Sequence, residues 1–186
     1  MWQWVLVSLA VVVIGWLVVS YNALVRLRVQ LSNAWSQIEV ELKRRYNLIP
    51  NLVEIVKGYA SHERETLERV VQARNAAAGT SGVKAQSGAE NILTGALKSL
   101  FALAEAYPDL KANQNFLSLQ TELAAAEDQI SVSRQAYNNA VSRLNTAVQS
   151  FPSNIVAGIF RFTDAEFFEL DETEAAEARK VPKVEF

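Results

Sequence analysis

The chain of 186 residues contains no cysteine and a single histidine. The first absence excludes a disulfide framework, a thiolate nucleophile and a cysteine-ligated zinc site. The second removes designs that need two imidazoles. His62 opens the string HERET, which lacks the second histidine of a zinc-protease HExxH helix. A di-iron bundle needs two Glu-x-x-His motifs. No GxSxG elbow accompanies His62 to build a serine triad, so it reads as a helix-surface or capping residue. The stretch AAAGTSGVKAQSG, residues 76–88, reads as a loop and linker, and the GTSGVK within it misses the spacing of a phosphate loop and follows no strand. Glu39 and Glu41 are two residues apart and point to different sides of a helix. No catalytic, cofactor-binding or metal-binding residue is therefore assigned, and a non-enzyme without cofactors is expected. Neither sign of charge dominates, with 18 Lys and Arg against 20 Asp and Glu. That balance lacks the basic footprint of a nucleic-acid binder. Seven glycines and four prolines provide for few turns and hence long helices.

Charged side chains are missing altogether from Met1 to Ser20. The run WQWVLVSLAVVVIGWLVV is almost purely apolar. At about 1.5 Å per residue, roughly 20 such residues cross a hydrocarbon core of about 30 Å. Trp2 and Trp4 at one end, with Trp16 and Tyr21 at the other, suit the aromatic belts at the two interfaces. A secretory signal peptide has a basic start and a small-residue cleavage site, and neither is found here. Residues 1–22 are therefore expected to be an uncleaved membrane anchor. The first basic residues, Arg26 and Arg28, come after the run, which predicts a short N-terminus outside and the remainder in the cytoplasm at the inner membrane. Both arginines are placed to meet anionic headgroups.

Apolar residues resume at gaps of three and four: Leu24, Leu27, Leu31, Trp35, Ile38, Leu42, Tyr46 and Ile49. This is a helical stripe with nothing to separate it from the anchor. Pro50 predicts a helix boundary or kink between Leu48 and Asn51. A second stripe runs from Leu52 to Ala77, with an interruption at Gly58–Ser61 and a fresh start near Glu63 and Glu65. Ser87 and Glu90 form a capping-box pattern opening a third helix, whose apolar face is Ile92, Leu93, Ala96, Leu97, Leu100, Phe101 and Ala104. In the fourth segment Phe116, Leu123, Ile130, Tyr137, Leu144 and Phe151 recur every seventh residue. Leu119, Ala126, Ser133, Ala140 and Ala147 stand three later, a heptad seam ending at Pro152.

The expected fold is all-α: a transmembrane helix continuing into an antiparallel, coiled-coil-like bundle of four long helices over residues 23–152. Residues 153–186 form an aromatic segment and charged tail. Alternating directions return the fourth segment to the membrane, where Phe160 and Phe162 are candidate interface residues or, alternatively, cap the bundle core. Lys43, Arg44, Arg45 and Lys57 flank the expected Pro50 bend and are candidates for docking an acidic partner or a second subunit. Trp35 is either core or the anchor of a subunit interface. The partners expected are the lipid bilayer, further copies of the chain and an unidentified protein.

The segment from Tyr21 and Asn22 to Arg74 closely resembles the LemA family. Ala34 and Trp35, the block from Lys43 to Tyr46, Leu48–Val53, Lys57–Tyr59, His62, Glu63 and Ala73 carry the match. A second block comprises Leu119, Gln120, Glu122, Leu123, Ile130, Arg134, Tyr137, Asn138, Phe151 and Pro152, and the ending Val184–Phe186 also fits. Asn47 stands where an acidic residue is usual, and Arg161 where a glycine often separates two phenylalanines. The resemblance implies one N-terminal transmembrane segment and a cytoplasmic antiparallel helical bundle. It implies no defined enzymatic activity. Association of some relatives with magnetosome membranes points to membrane organisation.

Overall fold

In the computed structural model, which describes residues 1–169, every regular element is a helix. These are α1 (Trp2–Tyr59), α2 (Arg64–Gly79), α3 (Val83–Ala104), α4 (Pro108–Lys111), α5 (Gln114–Gln149) and α6 (Ser153–Ile159). Contacts divide the chain into two compact units. One is Met1–Ile38 with Ser133–Phe167; the other is Glu39–Val132 with the described residues from Phe168 on. The expectation for the charged tail beyond Glu169 lies outside the described residues.

The second unit has a core of alternating three- and four-residue steps. Leu42, Tyr46, Ile49, Leu52 and Val56 are buried on α1, and Leu67, Val70, Ala73 and Ala77 on α2. Leu93, Leu97, Leu100 and Ala104 face inward from α3, but Ile92 is turned to solvent. Phe116, Leu123, Ala126 and Ile130 complete this core from α5.

The boundary expected at Pro50 does not occur, because α1 continues through it to Tyr59. Proline has no N–H, so the carbonyl four residues back, that of Tyr46, loses its helical donor. Arg74 Nε donates to this oxygen at 3.2 Å. A side chain from α2 thus supplies the missing bond. The chain turns instead at Ala60–Glu63, and α2 opens with Glu65 in its first turn, as its sequence implies.

The third helix also begins earlier than the capping-box pattern indicates. Its N-cap is Gly82, whose φ of 92° favours glycine, and Ser87 and Glu90 lie buried within the helix. The loop expected over residues 76–88 shrinks to residues 80–82, because residues 76–79 close α2 and residues 83–88 open α3. The cap on α5 is Asn113, whose Oδ1 accepts from the backbone N–H groups of Asn115 and Phe116 at 2.9 and 3.0 Å.

In the first unit, Tyr137, Val141 and Leu144 are buried on α5. Phe151, the last position of the heptad series, is 81% exposed because α5 stops at Gln149. A second small core gathers Leu24 with Val156, Ala157 and Phe162, and Trp16, Leu17 and Val25 pack against it. The chain from Asp164 to Glu166 is pinned to α5: Asn145 exchanges two hydrogen bonds with Ala165, and Tyr137 Oη donates to the Glu166 carbonyl at 3.0 Å. Arg161 turns the chain with a φ of 58°, a left-handed conformation that glycine adopts more easily. The tight turn between the two phenylalanines therefore forms even with arginine there.

Candidate functional site

Two clusters concentrate the residues that the sequence singles out. The first lies inside the Glu39–Val132 unit and is built on Arg45. This side chain is 1% exposed, in register with the apolar stripe of α1. Its Nη1 donates to Glu90 Oε2 at 2.9 Å, and its Nη2 donates to Thr94 Oγ1 at 2.8 Å and lies 2.5 Å from Glu127 Oε1. Glu90 is equally inaccessible, whereas Glu127 is partly solvated. The other Glu90 oxygen accepts from Tyr46 Oη and, at 2.8 Å, from Gln86 Nε2. Gln86 also donates to Tyr46 Oη at 2.9 Å and to the Ala77 carbonyl at 3.1 Å. The ion pairs of Arg45 thereby connect α1 with α3 and α5, and the Gln86 bond to the Ala77 carbonyl adds α2.

Such a pair costs several kcal/mol per ion to desolvate and returns it only if the remaining polar atoms are bonded. Here most are, with Arg45 Nε the exception. The cluster fixes which residues of neighbouring helices meet, since a shift of one turn would strand a buried charge. Among the described residues no group of three or more His, Cys, Asp or Glu side chains converges as a metal site would need.

Burial and the hydrogen bond to Glu90 raise the Tyr46 hydroxyl well above its ordinary pKa of 10.0. Unfolded, the phenol loses its proton near that value; folded, it keeps it. Its contribution to stability is complete below about pH 10 and is lost as pH rises beyond it, by up to about 1.4 kcal/mol per pH unit. The denaturant midpoint of the wild-type chain is expected to fall between about pH 9 and pH 11, and Tyr46→Phe to fall less steeply over that span. Tyr137, raised by burial and by Glu166, leaves a residual slope in the variant.

The second cluster belongs to the first unit. Trp2 and Trp4 are fully open, and Trp16 is half-buried against the Leu24 core. The Tyr21 ring centroid is 4.6 Å from that of Phe160 and 6.0 Å from that of Phe162. Arg26 is exposed, and the Arg28 guanidinium lies over the Phe162 ring at 4.3 Å. Phe160 is half-exposed, but Phe162 is buried and spent within the chain rather than offered to lipid. The apolar window of α1 is long enough to cross a bilayer, and no residue of it is fully buried.

The remaining candidates separate. Trp35 is half-buried, with its ring 5.5 Å from that of Tyr137 in an edge-on contact. Lys43 and Arg44 are exposed, Arg44 with Glu41 at 4.0 Å, whereas Arg45 points into the core and cannot belong to a docking patch. Lys57 borders a groove shared with Val53, Arg64, Leu67 and Val71. His62 is exposed in the turn before α2. Gln86, Glu90 and Glu127 were not legible as a site, although Gln86 and Glu90 continue the inward stripe of α3.

The profile of the LemA family matches residues 34–186. The protein named LemA in Metamycoplasma hominis is 32% identical over 82% of this chain and 70% of its own length. Magnetosome protein MamQ 2 of Paramagnetospirillum magneticum is 28% identical over 84% of this chain and 67% of its own. Magnetosome protein MamQ of Magnetospirillum gryphiswaldense is 27% identical, covering 82% and 65% respectively.

Proposed function

Because this chain belongs to the LemA family, we propose that it is a membrane-anchored, non-enzymatic helical scaffold that self-associates at the cytoplasmic face of the membrane. The observation that carries the reading is the apolar window of α1, with mean hydropathy 2.3 and no residue of it fully buried. Left in water, a surface of that size drives aggregation; in lipid it is solvated. The first basic residues after the window, Arg26 and Arg28, favour the cytoplasmic side for the helical units beyond it. Within Glu39–Val132 the reading includes an antiparallel packing of α1, α2, α3 and α5. Its supports are the Arg45 contacts to α3 and α5 and the bond from Arg74 back to Tyr46. Anchors holding many copies in two dimensions raise their effective concentration for lateral packing. Relatives named as magnetosome proteins favour a part in organising membrane over turnover of a substrate.

An adaptor is the second reading, favoured by the groove in which Lys57 and Arg64, against the single carboxylate of Glu68, flank Val53, Leu67 and Val71. That surface suits an acidic partner with apolar side chains. Sedimentation of the full-length protein in mild detergent separates the two. The scaffold reading expects ordered assemblies that grow with protein concentration; a monomer at every concentration leaves the adaptor.

A further inference from the structure

From Leu144 to Phe160 there is no charged side chain, and Arg143 and Arg161 bound the stretch. The helix α6 lies inside it, and beyond its first turn carries apolar residues on its buried and its exposed side. Val156 and Ala157 are buried in the core built on Leu24, against Trp16 and Leu17 of the candidate span. On the opposite side, four residues apart and so on one face, Ile155 and Ile159 are 49% and 63% exposed. Phe151 and Phe160 extend this open surface at either end. Only Ser153 and Asn154, in its first turn, are polar, and exposed apolar surface of this kind on a short helix marks a contact with lipid or with another protein.

We infer that α6 and its flanking rings form a second membrane contact, a foot embedded at the headgroup–acyl boundary beside the anchor. Its ligand is a lipid surface. Continuity decides for lipid over another protein. The foot packs on α1 at Trp16 and Leu17, and the next two residues, Val18 and Val19, present the open apolar face of the span itself. Tyr21 joins the two surfaces through its contact with Phe160. Arg28, whose guanidinium lies over Phe162, and the exposed Arg161 next to Phe160 supply cations beside the foot, suited to anionic headgroups. Short amphipathic elements of this kind bury about 5–10 Å into the boundary region.

The inference rests on the reading of α1 as an anchor, and a chain without cysteine allows the two to be tested apart. Single cysteines placed by Val13→Cys, Ile155→Cys, Ile159→Cys and Val132→Cys are spin-labelled in the full-length protein. The protein is then reconstituted in phosphatidylethanolamine–phosphatidylglycerol vesicles. Collision rates with oxygen and with a water-soluble nickel chelate report the depth of each label. Labels at positions 155 and 159 are expected to favour oxygen several-fold, as at position 13, with the reverse at position 132. Phe151→Cys gives an independent site if a label on α6 disturbs its packing. Oxygen preference at position 13 with nickel preference at 151, 155 and 159 overturns the foot and spares the anchor. Labels at 155 and 159 shielded from both reagents and broadened by each other place a second copy there, and also overturn it. Nickel preference at position 13 removes the anchor reading, and the inference with it.

Discussion

Arg45→Met is expected to cost about 3–5 kcal/mol of unfolding free energy, because it leaves Glu90 charged and buried without its counter-ion. Arg45 is the group that makes this carboxylate tolerable, with Nη1 at 2.9 Å. Glu127, the other acidic partner, is partly exposed and can turn to water. Urea unfolding of the detergent-solubilised chain, monitored by far-ultraviolet circular dichroism, measures the loss. The discriminating comparison is Arg45→Met with Glu90→Met. Removing both charges abolishes the stranded ion and leaves Tyr46 and Gln86 to bond each other. The double variant is therefore expected to be more stable than Arg45→Met alone, despite carrying more substitutions. A single variant that loses only about 1 kcal/mol or less would mean the pair behaves as a surface ion pair. A double variant at least as unstable as the single would show that packing, and not charge, is what Arg45 provides.

The same cluster shows where sequence periodicity stops being informative. Apolar spacing identified the helical segments and most of the inward faces of α2 and α3, though Val71 of the α2 stripe is exposed and Ala73 is buried in its place. It left open a boundary at Pro50 that does not form, since the rescue of the Tyr46 carbonyl comes from Arg74, 28 residues away. Nothing near Pro50 encodes that bond. Ser87 and Glu90 matched a capping box because the pattern is short and blind to depth. Their real surroundings are Glu169, whose carbonyl accepts from Ser87 Oγ at 2.6 Å, and Arg45. A signal was present nonetheless: Gln86, Glu90, Leu93, Leu97, Leu100 and Ala104 step by four and three, and a carboxylate in an apolar register implies a buried cation. Arg45 and Tyr46 sit on the matching stripe of α1. The aromatic tip was legible only as a cluster. Which ring turns inward depends on the left-handed turn at Arg161, which buries Phe162 and leaves Phe160 half-exposed. Phe151 misled for a related reason, since its heptad position lies two residues past the end of α5.

Placing two aspartates in the middle of the apolar window, by Val12→Asp with Val13→Asp, is expected to release the chain from the membrane. Leu, Ile and Val near the centre of a span each contribute about 0.3–0.6 kcal/mol to insertion. Eleven such residues lie between Val5 and Val19, so the window is worth roughly 3–7 kcal/mol on that scale. Each aspartate at the centre costs about 2.5–3.5 kcal/mol, so the pair cancels most or all of it. Val12 and Val13 are both exposed and belong to neither core, so the loss falls on lipid contact and spares the cores of both units. Washing membranes with alkaline carbonate should leave the wild-type chain in the pellet and move most of the double variant to the supernatant, still helical by circular dichroism. Val132→Asp, an exposed position on α5, controls for charge alone and should stay in the pellet. Retention of the double variant would mean that α1 is not what holds the protein. If α6 alone then kept it bound, adding Ile155→Asp and Ile159→Asp would be needed to free it, which ranks the two contacts by the number of charges each withstands.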